Sequence, residues 1–75
     1  MTQCEKVLRH MEDFGSITSA EAVYEYGIMR LASRITDLKH RGVPVARVME
    51  TSRNRYGEPV SYARYYLEGK DGQNS

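Results

Sequence analysis

The sequence predicts an α+β domain, three helices followed by a two-stranded β-hairpin. Three observations predict it. Two capping boxes, Thr2-Gln3-Cys4-Glu5 and Thr18-Ser19-Ala20-Glu21, each mark a helix start, with a hydroxyl and a carboxylate three residues apart satisfying each other's backbone amides. Apolar residues then recur at helical spacing as far as Leu38. After Gly42 that period gives way to Val- and Tyr-rich runs on either side of a polar loop bearing Asn54, Gly57 and Pro59.

The first helix is expected over about residues 3–13. Cys4, Val7, Leu8 and Met11 form one apolar stripe, and Gly15 after Phe14 supplies a left-handed stop. In the second, Ile17 stands at the staple position before the cap. Ala22, Val23 and Tyr26 make the expected buried side, and Gly27 ends it after about two turns. The third helix is read as restarting at once: Ile28, Leu31, Ile35 and Leu38 repeat at spacings of 3, 4 and 3, and Gly42 closes it ahead of Pro44. Val43 to Glu50 and Val60 to Leu67 are the two strands, joined through Ser52 to Pro59. On the second strand Ala63, Tyr65 and Leu67 alternate toward the core, and Tyr62, Arg64 and Tyr66 lie on the other face. Residues 1–67 are expected to form the domain and residues 68–75 a flexible polar tail.

Seventy-five residues allow one small core, because a chain this short buries only about 60% of its unfolded surface. No apolar run approaches the roughly 18 residues of a membrane span, and no charged segment followed by an apolar stretch marks a secretory signal. One cysteine, Cys4, and two isolated histidines, His10 and His40, offer neither a disulfide nor a zinc spacing. The expectation is a reduced, cytoplasmic domain with no metal and no cofactor. Catalysis finds no foothold either. Glu12-Asp13 is an acidic pair suited to solubility, and no nucleophile has a base at a recognisable spacing.

The net charge of +1 hides a segregation. Residues 1–29 carry two basic side chains against five acidic (Glu5, Glu12, Asp13, Glu21, Glu25), a balance of −3. Residues 30–67 carry eight basic against three acidic (Asp37, Glu50, Glu58), a balance of +5. A neutral chain divided in this way presents a basic face to a polyanion.

Gly15-Ser16-Ile17-Thr18-Ser19, then Gly27-Ile28-Met29-Arg30-Leu31-Ala32-Ser33-Arg34-Ile35, and Tyr62-Ala63-Arg64-Tyr65-Tyr66-Leu67 carry a family resemblance. The sequence resembles the winged helix-turn-helix superfamily, and is similar to its small, often phage- or prophage-encoded members. The likeness runs from Cys4 to Leu67 and is strongest over residues 15–42. It implies a small winged helix that binds double-stranded DNA as a transcriptional regulator, its third helix in the major groove and its hairpin wing on the backbone. One departure stands out: Met29-Arg30-Leu31 occupies the place where the family sets a capping Ser or Thr.

With the apolar stripe inward, Arg30, Ser33, Arg34, Asp37 and Arg41 are expected on the opposite side of the third helix. There an Arg can pair with guanine and Ser can serve base or phosphate, while Asp37 accepts from cytosine or orients an adjacent Arg. The hairpin adds Arg53, Asn54, Arg55 and Tyr56, suited to minor-groove or backbone contact. Amides at Thr18 and Ser19 open the second helix and suit a phosphate. One such domain has a small footprint, so a homodimer is a natural arrangement. The rival reading is a protein-interaction module on the same scaffold, for example a phage-encoded inhibitor of a host enzyme, with Glu12, Asp13, Glu21 and Glu25 toward the host protein.

Overall fold

Helix α1 spans Gln3–Phe14 and opens on the Thr2/Glu5 capping box, with both reciprocal bonds formed. The structure is a computed structural model, and it describes residues 1–68. Gly15 takes the left-handed conformation and turns the chain into β1, Ser16–Thr18. Helix α2, Ser19–Tyr26, starts on the second capping box, Thr18/Glu21, and α3 follows over Leu31–His40. Strands β2, Val45–Arg53, and β3, Pro59–Leu67, complete the order. The expected polar tail lies outside the described residues except for Glu68.

Two glycines do specific work. At Gly27, φ is +68°, and the next amide, that of Ile28, donates back to the Ala22 carbonyl. At Gly42, φ is +90°, Val43 N–H donates to the Leu38 carbonyl and Gly42 N–H to that of Lys39. That bond pair is a Schellman cap, which only a residue tolerant of positive φ forms without strain. It turns the chain out of α3 and sends Val43 back against the core.

The sheet has three antiparallel strands in the order β1-β3-β2. Ser16 pairs with Tyr66 and Thr18 with Arg64, while Val45 pairs with Leu67 and Arg53 with Pro59 at the far end. The expected hairpin is present, and β1 adds a third strand to it. Three residues with one apolar side chain carry no strand signal alone; β1 exists because β3 offers it an edge. The alternation on β3 is as read, with Tyr65 buried and Tyr66 exposed.

The core draws on every element: Cys4, Val7 and Met11 from α1, Ile17 from β1, Ala22 from α2, Leu31, Ile35 and Leu38 from α3, and Val45 and Tyr65 from the sheet. Ile28 joins them at 1% exposure, but from the turn and not from a helix. The third helix therefore starts three residues later than its apolar spacing predicts, and a four-residue turn separates it from α2. Val23 is also corrected. Expected on the buried side of α2, it is 42% exposed, because Ala22 and Tyr26 already fill the contact with α1 and the turn.

One polar residue sits deep. His10 is buried, with Nδ1 2.7 Å from the Tyr26 hydroxyl and Nε2 4.0 Å from Glu21 Oε1. Burial raises the Tyr26 pKa first, with the nearby Glu25 and Asp13 charges adding to it.

Candidate nucleic-acid interface

Helix α3 turns Leu31, Ile35 and Leu38 inward, which fixes where every other residue on it points. Ala32, Thr36, Lys39 and His40 are exposed; Ser33, Arg34 and Asp37 are half-buried. Arg34 Nη2 stands 3.3 Å from Asp37 Oδ2, and Arg34 Nε is buried without a hydrogen-bond partner. Both residues border α1, where Cys4 Sγ lies 3.9 Å from Asp37 Oδ2 and from the Arg34 carbonyl oxygen. Asp37 thus holds the Arg34 guanidinium by an ion pair along the helix. Arg30 is the N-cap of α3, makes no side-chain cap bond and is exposed. Arg41, just past the last turn, is exposed as well.

The tip of the β2–β3 hairpin is organised by Asn54. Its Oδ1 accepts from the amides of Tyr56 at 2.9 Å and Glu58 at 3.0 Å, and its Nδ2 donates to Glu58 Oε1. Arg53 Nη1 donates to the Gly57 carbonyl at 2.6 Å. Asn54 is thus spent on shaping the turn, which carries Arg55 and Tyr56 outward, the latter 80% exposed. Arg47 is exposed nearer the base of the same hairpin.

A polar cluster fastens the wing to α2. Arg64 Nε donates to Glu50 Oε1 at 2.9 Å, the Tyr62 hydroxyl donates to the same oxygen at 2.8 Å, and Arg64 Nη1 reaches Ser16 Oγ at 2.9 Å. The Arg64 bond, then the Tyr62 bond, hold the Glu50 carboxyl below the usual carboxylate range, and the Glu50 contact raises Arg64 in turn. Glu21 Oε1, which caps the Thr18 amide at 2.9 Å, is 3.9 Å from Arg64 Nη1. Beside this cluster lies a cleft of about 280 Å³ lined by Thr18, Ser19, Ala20, Ser52, Tyr62 and Arg64. The structure therefore brings Thr18 and Ser19 together with the wing. Thr18 is itself buried, and Ser19 is exposed.

Helix, turn, helix and basic hairpin now stand in one frame, and a family described as a winged helix-turn-helix domain matches residues 2–70. The chain belongs to that family. Comparison with curated proteins and with solved structures returned no match. Winged helix-turn-helix domains are typically DNA-binding modules rather than enzymes, so the winged helix described here carries DNA as its expected partner.

Within this winged helix, Ala32, Thr36 and Lys39 on α3 and Arg47 on β2 are also exposed, beside the residues the sequence singles out. The signal for α3 was present. Arg34 falls three residues after Leu31 and four before Leu38, the spacing that sets it on the border of the apolar stripe and not opposite it. Reading Ile28 as helical obscured that border. No helix among the described residues is long and apolar enough to cross a membrane, and no group of three His, Cys, Asp or Glu side chains there is placed to hold a metal.

Proposed function

We propose that this chain is a sequence-specific double-stranded DNA-binding protein, a small cytoplasmic transcriptional regulator of the phage or prophage type. Helix α3 enters the major groove, and the β2–β3 wing follows the flanking backbone. The contact set is Arg30, Ser33, Arg34, Asp37 and Arg41 on and beside α3, Arg53, Asn54, Arg55 and Tyr56 on the wing, and Ser19 at the start of α2. Thr18, expected from the sequence to offer its amide, is buried with that amide on Glu21 Oε1 and only positions Ser19. In this set Asn54 shapes the wing tip, and Asp37 steers Arg34.

One observation carries the reading. The three acidic residues between positions 30 and 67 are all engaged: Asp37 with Arg34, Glu50 with Arg64, and Glu58 with Asn54. Removing the two engaged arginines from the eight basic residues of that segment leaves six, all exposed: Arg30, Lys39, Arg47, Arg53 and Arg55, with Arg41 standing beside Glu5 and Glu12 of α1. Only the Glu58 charge stands uncompensated among them, because Asn54 is neutral. A surface of this kind neutralises phosphates and releases their counterions.

A titration of random duplex DNA against salt tests it. Binding in low salt should fall steeply as salt rises, and the Arg53→Gln/Arg55→Gln variant should reduce the slope by about two. Absence of duplex binding in low salt sinks the reading.

A specific feature favours a second reading, the protein-interaction module. Phe14 is 73% exposed and lines, with His10, Glu21 and Glu25, a cleft of about 260 Å³ outside the basic segment. A host protein presenting a basic side chain fits that cleft, and so does a second copy of this chain in a homodimer. Retention of duplex binding by a Phe14→Ala/Glu25→Gln variant separates the two surfaces.

A further inference from the structure

The first two turns of α3 present methyl groups where a groove-reading helix ordinarily presents long polar side chains. Met29 is 76% exposed in the turn before the helix, and nothing in the core requires it there. Ala32 and Thr36 lie on the helix itself, four residues apart and both exposed, so they share one outward face, and Met29 stands exposed in the turn that leads into it. The Thr36 hydroxyl donates to the Ala32 carbonyl at 3.1 Å. That bond spends its only hydrogen and leaves the γ-methyl as the group with no other task. Arg34, the arginine within these turns, is drawn aside to Asp37 with its Nε buried. The exposed cations Arg30 and Lys39 flank the stripe at either end of the helix, where they suit phosphates.

Resting on the DNA-binding reading above, we infer that Met29, Ala32 and Thr36 read thymine 5-methyl groups in the major groove, so that the preferred site is anchored on A·T pairs. The N-terminal residues of a recognition helix are the ones that meet base edges. Alanine and the threonine methyl make apolar contact with the thymine methyl, the one apolar group on the groove floor. Residues one turn apart have Cβ atoms about 5–6 Å apart, which spans one to two base steps of 3.4 Å. The stripe therefore addresses neighbouring thymines and not a single one. Small side chains also let the helix sit deep, and the flanking cations then hold the backbone on both sides.

Substituting uracil for thymine removes the methyl and leaves every hydrogen-bonding group in place. The full chain is used to enrich duplexes from a randomised pool, and the enriched duplex is then remade with deoxyuridine in place of thymidine. Affinity for the uracil duplex should fall roughly tenfold, the loss of about two buried methyl contacts. Thr36→Ser and Met29→Ala, both at exposed positions that spare the core, should narrow that ratio. Equal affinity for the thymine and uracil duplexes overturns the inference and leaves the DNA-binding reading standing. Failure to bind any duplex in low salt overturns both, and turns the exposed stripe into a docking face for protein.

Discussion

Arg34 and Asp37 are one turn apart on α3, with Nη2 and Oδ2 3.3 Å from each other at the border with α1. Because both are partly exposed, the pair contributes little stability, about 0.3–0.5 kcal/mol. Its effect is to aim and neutralise an arginine beside the proposed DNA surface. Asp37→Ala should therefore tighten binding to random duplex and steepen the salt slope by about one. Shift assays over a range of salt read this directly, and an unchanged slope means that Arg34 faces no phosphate.

Asn54 determines the shape of the wing tip through three hydrogen bonds. Asn54→Ala should cost about 1 kcal/mol, since the freed groups are exposed and regain water. Amide exchange at Tyr56 and Glu58, whose N–H groups lose their acceptor, should speed up selectively. Protection at those two amides equal to that of the parent would show that the turn holds itself.

Acid sensitivity follows from Glu50. The Arg64 bond and then the Tyr62 bond lower its folded-state pKa, so this carboxylate adds stability above its unfolded value and loses it as pH falls through the folded one. Glu5, lowered by its bonds to Thr2, acts in the same window. The Glu50 contribution is thus constant through neutral pH and declines below the ordinary carboxylate range. In thermal melts across that range Glu50→Gln should lose less Tm on acidification than the parent, and parallel curves would refute the assignment.

Met11 has no exposed surface, and its side chain fills the middle of the core. Met11→Ala should cost about 2–5 kcal/mol, a large share for a chain whose stability runs at roughly 0.05–0.15 kcal/mol per residue. Thr18→Ala removes a cap and should cost about 1 kcal/mol. Chemical denaturation orders the two, and a larger loss at Thr18 would place more of the fold's stability in the α2 entrance than in the core.

Tyr26→Phe takes away the hydroxyl that meets Nδ1 of buried His10. Leaving that nitrogen without its partner should cost about 1–3 kcal/mol. Denaturation of this variant alongside His10→Gln tests the coupling, since the two losses should not add if the residues act through each other.

The parts of this protein legible in its sequence are those whose bonds close within a few residues. Thr2 with Glu5 and Thr18 with Glu21 form the capping boxes their spacing announces, and Gly15, Gly27 and Gly42 turn the chain where a positive φ is needed. The two long strands follow from their own Val and Tyr content and the turn residues between them. Tertiary structure alone decided the rest. β1 is a strand only because β3 lies beside it, Ile28 is buried from a turn and not from a helix, and Glu50, Arg64 and Glu21 meet across three elements. On α3 the spacing of Leu31, Ile35 and Leu38 already sets Arg34 at the border of the apolar stripe, and the tertiary core decides which element that border meets. Leu31, Ile35 and Leu38 all have to reach a core built from both ends of the chain, and satisfying them together rotates Arg34 toward α1 and leaves Ala32 and Thr36 facing out. Local hydrogen bonding carries no information about that rotation; burial of residues distant in sequence does.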